Sequence, residues 1–254
     1  MQPLSSGWRA RIGADWSQGR ATFGGMVAAL CNEAMRRLVP ADRELRGLDT
    51  IFAGPALIGE VSIDAEVLRA GKAVSIARSR LWSEGKLAAT LTGIYGAART
   101  TTLSLAPTVA AGVRAAEDLP ESPAGAIGGP SFVQHFAYRW AEGTRPFAGS
   151  NLRTAKIYVR HKDPAPLTES HVVALIDSIP SVILQLMTSV APSSSLTWSL
   201  QFLRHDFSFA PEAWWRIDAE VNSAGNGYSC ESCLLVDPRG RPAAVARQMV
   251  AVFG

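Results

Sequence analysis

Ser62–Val67 reads SIDAEV and Arg216–Val221 reads RIDAEV, so five of six residues recur at an offset of 154 (217 − 63). The turn that follows keeps the offset, with Ala70-Gly71 recurring as Ala224-Gly225. A little further on the offset is 155: Gly85 recurs as Gly240, and Ala88-Ala89 as Ala243-Ala244. That period is far longer than a solenoid unit and matches one small domain. The chain therefore reads as two copies of one domain.

Working outward, runs of alternating or β-branched residues surround each copy of the motif. In the first half they fall near Gly7–Asp15, Leu45–Phe52, Val61–Leu68, Ala73–Trp82 and Leu87–Ala97, with turn signals RAGK and SEGK between the later ones. In the second half they fall near Phe132–Trp140, Leu152–His161, Ser195–Arg204, Trp214–Val221, Gly227–Val236 and Ala243–Phe253. A helical pattern precedes the main run of strands in each half. Gly24–Val39, GGMVAALCNEAMRRLV, has apolar residues at helical spacing and ends at Pro40. Thr168–Met187, TESHVVALIDSIPSVILQLM, opens on Thr168 as N-cap and is apolar on nearly every side, as a buried helix is. Pro180 has no N–H and its ring clashes with the Ile176 carbonyl, so this helix must kink or restart there. A long helix mostly buried by one curved antiparallel sheet is the simplest packing for such an order, which makes the expected class α+β. Arg99–Pro130 is rich in Ala, Pro, Gly, Thr and Ser without a sustained period, and reads as a linker or surface crossing. The expected division is thus a first repeat over 1–98, a crossing segment over 99–130 and a second repeat over 131–254.

Composition narrows the function classes. The chain has 254 residues, 47% hydrophobic and 19% charged, with net charge +3 and no run of Lys or Arg. A nucleic-acid role would need a basic stripe, and none is visible. The N-terminus lacks the apolar core of a signal peptide, and no apolar stretch reaches the length of a membrane span. The three cysteines, Cys31, Cys230 and Cys233, then read as reduced thiols and the expected location is cytoplasmic. Cys230 and Cys233 form a C-x-x-C inside the strand-like YSCESCLLV, whereas redox pairs open a helix, so they read as ordinary strand cysteines. His135, His161, His171 and His205 show no metal spacing, and neither G-x-S-x-G nor G-x-G-x-x-G occurs. No cofactor or metal is expected.

Two residues stand out chemically. Asp177 is an acid beside a helix break in an apolar segment: either it caps the restarted turn or it is a buried base held over a substrate. Gln248 is the lone polar side chain on the strand face formed by Ala246, Gln248, Val250 and Val252. The strand offset of 155 puts Gly93 in its place in the first copy, and matching the helices at 152 puts Gly25 opposite Asp177. The polar groups therefore belong to the second copy alone. Ser195, Thr197, Ser199 and Gln201 alternate with Leu196, Trp198, Leu200 and Phe202, as in a strand with one wet face. Gly24-Gly25 opens the first helix. It is read either as a tight entry or as a place where exposed N–H groups favour an anion or polarised carbonyl.

A helix followed by a meander that wraps it is the hotdog arrangement, and two copies make a double hotdog. In detail the chain resembles the type II acyl-CoA thioesterases. The resemblance is carried by TFGGMVAAL (Thr22–Leu30), LIDSIP (Leu175–Pro180), SSLTWSLQFLRH (Ser194–His205), EAWWRIDAEV (Glu212–Val221) and RQMVAV (Arg247–Val252). It implies hydrolysis of an acyl-CoA by water held between an Asp on the second helix, a hydroxyl on the next strand and a Gln on the last. The matching positions are Asp177, Ser195 or Thr197, and Gln248; Gly24 and Gly25, read from the helix start itself, are the candidates for contact with the substrate. By this register Ser195 takes the hydroxyl position, while Thr197 stands where many relatives carry an acid. For the coenzyme A phosphates the candidates are Arg153, Lys156, Arg160, Lys162, Arg204 and His205, although such residues more often form a solvated rim. A homo-oligomer is expected, since Leu91, Met249 and Phe253 should leave the outer sheet face partly apolar. Two alternatives stand beside this reading. One is a non-catalytic acyl-CoA- or lipid-binding hotdog. The other is a double-hotdog hydratase or dehydratase, whose Asp–His or Asn–His pair neither Asp163-Pro164 nor His205-Asp206 supplies.

Overall fold

The computed structural model describes residues 1–4, 7–122, 129–163 and 165–253. Residues 123–128 of the expected crossing segment, and Pro164, lie outside the described residues. In chain order the first half forms β1 (Gln2–Leu4), β2 (Gly7–Ile12), the short ribbon β3 (Ser17–Gln18) and β4 (Ala21–Thr22), and helix α1 (Gly24–Arg36). It continues with β5 (Glu44–Phe52), β6 (Gly59–Ala70), β7 (Val74–Ser83) and β8 (Lys86–Gly96). The second half forms β9 (Phe136–Glu142), β10 (Thr154–His161) and helix α2 (Glu169–Ile176). It ends with β11 (Ser193–Phe202), β12 (Trp215–Gly225), β13 (Tyr228–Val236) and β14 (Pro242–Val252).

Twelve strands make one sheet in the order β1-β2-β6-β7-β8-β5-β11-β14-β13-β12-β10-β9. Its two halves mirror each other: β2-β6-β7-β8-β5 on one side of the centre, β10-β12-β13-β14-β11 on the other. The two sheets thus join edge to edge through β5 and β11, which hides two edges that would otherwise be open to other chains. Asp49 and Ser199 are paired at the centre, where Ser199 Oγ donates to Asp49 Oδ1 at 2.6 Å. Both helices pack on the inner face, α1 against α2, β6, β7 and β8. This is the expected double hotdog. Leu91 belongs to that inner face, 1% exposed, and not to the outer one. The alternation of β8 puts it in line with Gly93 and Tyr95.

The helices differ from the sequence expectation in length. α1 buries Val27, Ala28, Cys31, Ala34 and Met35 at helical spacing and ends three residues before Val39, where the Leu38 N–H turns back to Met35 O. The second helix is not long. α2 opens with the expected Thr168 cap, completed by His171 in a capping box, but spans only Glu169–Ile176. Ser178 closes it by donating both N–H and Oγ to Leu175 O, and Tyr138 OH holds Ser178 O. Pro180 cannot supply the next helical N–H, and the chain restarts as a 3₁₀ turn over Val182–Gln185.

The crossing segment is fastened to the outer face of β9, β10 and β12. Tyr158 OH donates to Arg114 O, Arg139 Nη1 to Ala116 O, and the Ser122 N–H to Tyr138 O. Among the described residues no helix is long and apolar enough to cross a membrane.

Candidate active site

Gln248 lies on β14 opposite Trp198 of β11 on one side and Glu231 of β13 on the other. Directly opposed residues share a face, and Trp198 and Glu231 are 3% and 4% exposed, so Gln248 points inward. β11 carries a bulge between Ser195 and Thr197. In an unbroken strand those two would share a face. The extra residue re-aims one of them. Ser195 pairs with Val250, on the inner face with Gln248, and its Oγ donates to Gln248 Oε1 at 3.4 Å. Thr197 pairs with Met249, on the outer face. The fold therefore brings Ser195 to Gln248 and turns Thr197 away.

Asp177 is the C-cap of α2 and is half-buried. Its carboxylate faces the start of α1. A Cβ on Gly24 would lie 3.0 Å from Asp177 Oδ2, so the carboxylate sits against the first turn of α1. Burial pushes this carboxyl up to about 7, and the Gly25 N–H pulls against that shift. Gly25 itself is required by close approach: a Cβ there would meet the Phe23 ring at 2.5 Å and Ala174 O at 3.0 Å. The capping role open to Asp177 is thus exercised on the other helix. The turn that restarts after Pro180 is capped by Glu231, which accepts from the Val182 and Ile183 N–H groups.

Asp177, Glu231 and Gln248 line one small cavity, closed by Ile176, Val182 and Trp198. Its volume is about 30 Å³, and a water needs about 10–15 Å³ of such space and two to four polar partners. Cys233 also lines it, while Cys230 faces the outer groove, as residues three apart on a strand must. Both cysteines, like Cys31, are free thiols.

Glu231 was not singled out by the sequence reading. A signal existed: Ser229, Glu231 and Leu235 alternate on one face of β13, and polar groups on a buried face need a reason. The cations offered for coenzyme A are mostly engaged elsewhere. Arg153 donates to Val221 O and Asn222 O, Lys156 pairs with Glu142, Arg160 lies over Trp214, and the His205 ring bonds Leu45 O. Lys162 and Arg204 are exposed.

The pseudo-twofold gives each site residue a counterpart. Register pairs Gly93 with Leu48 and Ala77 as it pairs Gln248 with Trp198 and Glu231. The bulge of β11 is repeated in β5 between Leu45 and Gly47, which sets Leu45 against Ser195. For the helices the expected match of Asp177 with Gly25 does not hold. Asn32 of α1 donates to Glu169 Oε1 at 3.0 Å and to Ser170 Oγ at 3.2 Å, at the start of α2. Asp177 faces Gly24 and Gly25 in the same way, and both relations run at an offset of 145 (177 − 32 and 169 − 24). Each helix presents one polar residue to the first turn of the other. In the first copy Tyr95 occupies the remaining space. Its OH donates to Asn32 Oδ1 at 2.8 Å, and a Cβ on Gly93 would lie 2.7 Å from its ring.

Comparison with known proteins agrees with this architecture. Among solved structures, a hotdog-fold protein of unknown function from Alicyclobacillus acidocaldarius superposes with TM-score 0.85 at 20% identity, covering 100% of this chain and 95% of that one. The acyl-CoA thioesterase II TesB2 of Mycobacterium marinum gives 0.78 at 17% identity, covering 100% and 96%. A tesB protein of Mycobacterium avium subsp. paratuberculosis gives 0.78 at 15% identity, covering 99% and 95%. No curated protein sequence matches the chain. These likenesses define a double hotdog. Residues 12–96 match the acyl-CoA thioesterase N-terminal domain family and residues 111–252 the acyl-CoA thioesterase C-terminal domain family. The chain belongs to the acyl-CoA thioesterase family, and its chemistry is thioester hydrolysis.

Proposed function

We propose that the cavity between Asp177 and Gln248 holds the water that hydrolyses an acyl-CoA. The observation that carries this reading is the shared cavity itself, lined by two residues 71 apart in sequence (248 − 177). Asp177 takes a proton from the water as its oxygen attacks the thioester carbonyl. A carboxyl pushed up to about 7 suits a general base working near neutral pH. The carbonyl oxygen becomes an oxyanion. The Gly24 N–H, in the first turn of α1, has no intrahelical acceptor and serves as its donor. Collapse of the tetrahedral intermediate breaks the C–S bond. The thiolate leaves with the proton from Asp177, giving the free acid and coenzyme A. Gln248 and Ser195 orient the water, and no covalent intermediate is needed. Thr197, on the outer face, has no part in this.

Acyl-CoA as substrate is supported by the description of the two matching families. A hydratase or dehydratase needs a histidine at the reacting centre, and no histidine is among the described residues lining the cavity. A purely binding role gives no use to a buried carboxyl beside a cavity with room for water. We read the protein as cytoplasmic, supported by its three free thiols. We read it as a homo-oligomer, supported by exposed Ile51, Ile94 and Met249 on the outer side of the sheet. Thiol release over a panel of acyl-CoAs tests the activity. Release by the wild type and its loss in Asp177→Asn is expected, and equal release by both would overturn the assignment.

A further inference from the structure

Five donors converge on the Glu231 carboxylate. Ser181 Oγ at 2.5 Å, the Ile183 N–H at 3.1 Å and Ser229 Oγ at 3.2 Å reach Oε1. The Val182 N–H at 3.0 Å and Gln248 Nε2 at 3.2 Å reach Oε2. A carboxamide can turn either its oxygen or its nitrogen to a neighbour, and Gln248 has such a choice. A carboxylate with its lone pairs so occupied only accepts, so it takes Nε2 and leaves Oε1 on the other side, toward Ser195.

We propose that Glu231 is a positioning residue: it fixes the amide of Gln248 so that an acceptor faces the cavity water. This deepens the hydrolytic reading above and rests on it. The consequence is directional. The water gives one hydrogen to Gln248 Oε1 and the other to Asp177, and its lone pair is left to meet the carbonyl carbon. Gln248 then does not act as the oxyanion donor, which leaves that task to the main chain at α1. The same carboxylate clamps Ser181–Ile183, the segment that follows Asp177 past Pro180, so both ends of the water's cradle are tied to one group. The first copy agrees. Ala77 stands where Glu231 is and Gly93 where Gln248 is, so the amide and its clamp are absent together.

The test is Glu231→Gln, alone and with Gln248→Leu, read by kinetics and by hydrogen exchange of the Gln248 side-chain amide in NMR. Acting through Gln248, E231Q lowers kcat about 10–100-fold with KM nearly unchanged, and adds no further loss once residue 248 is Leu. A merely structural Glu231 would lower kcat by the same factor in both backgrounds, which overturns the proposal. The NMR readout does not need activity: the Gln248 amide exchanges slowly in the wild type and fast in E231Q. Fast exchange in the wild type overturns the proposal. Should E231Q not fold, Glu231→Asp keeps the acceptor for the turn but is one methylene too short to hold Gln248 as well. It is expected to free the amide, and an amide still protected in E231D overturns the proposal. A wild type that releases no coenzyme A while its Gln248 amide stays protected would sink the hydrolytic reading and leave the clamp standing.

Discussion

The two halves of the molecule carry the same cradle with opposite contents. In the second copy Asp177, Glu231 and Gln248 line a cavity, and Ser195 bonds Gln248. In the first, Asn32, Leu45, Ala77 and Gly93 take their places, and Tyr95 closes the space. The polar residue on the helix is retained in both, because each helix start needs an acceptor or donor from its partner. What differs is whether that residue is satisfied. Asn32 is fully buried and bonded at both ends of its amide. Asp177 faces the start of α1 and a cavity. The first arrangement satisfies every polar atom it buries; the second keeps a carboxylate in a costly environment, the setting in which functional groups are found.

The comparison breaks most sharply at Asp177. Asp177→Asn gives the second site the residue of the first, and kcat should fall about 10²–10⁴-fold with KM little changed, as single-turnover and steady-state rates would measure. Gln248→Ala removes one oriented hydrogen bond and should cost about 10–10³-fold in kcat. The converse change, Asn32→Asp, sets a second carboxylate against Glu169 in a buried site. It should destabilise the fold by about 3 kcal/mol in urea unfolding without adding turnover, since Tyr95 still fills the space. Tyr95→Phe removes only the hydroxyl that satisfies Asn32 and should cost about 1–2 kcal/mol with kcat unchanged. Thr197→Val, on the outer face, should change neither, whereas a Ser195→Ala variant should lose activity.

Which of these contrasts was legible in the chain follows from how each element holds its register. The last three strands of the two halves align at 154 or 155 because a slip of one residue would turn every inward side chain outward. SIDAEV and RIDAEV preserve that record, and with it the exchange of Gly93 for Gln248. The helices keep only a short record at their offset of 145, VAAL (Val27–Leu30) against VVAL (Val172–Leu175), which the match at 152 passed over, and Asn32 went unmatched. The run SSSLTWSL holds nothing that marks a bulge at Leu196, so strict alternation put Ser195 and Thr197 on one face. Glu231 was hidden inside the C-x-x-C, where the cysteines drew the reading. Pro180 announced a break, but the capping of the restarted turn by a strand 50 residues away (231 − 181) is a tertiary contact with no local trace.

The central claim is that Asp177 is the base, and pH tests it most directly. Burial raises its carboxyl above the value in the unfolded chain, so the fold favours the protonated form. That contribution to stability is full below the ordinary carboxylate range near pH 4 and is lost as pH rises through about 7. Activity must run the other way, since only the ionised form accepts a proton. The measurement is kcat/KM against pH for wild type and Asp177→Asn, with melting temperatures over the same range. The account predicts that wild-type kcat/KM climbs about tenfold per pH unit up to about 7 and then levels. Over that window its melting temperature should fall relative to Asp177→Asn, which stays slow throughout. An Asp177→Asn protein with wild-type turnover, or an active wild type whose kcat/KM is flat across pH 7, would contradict it.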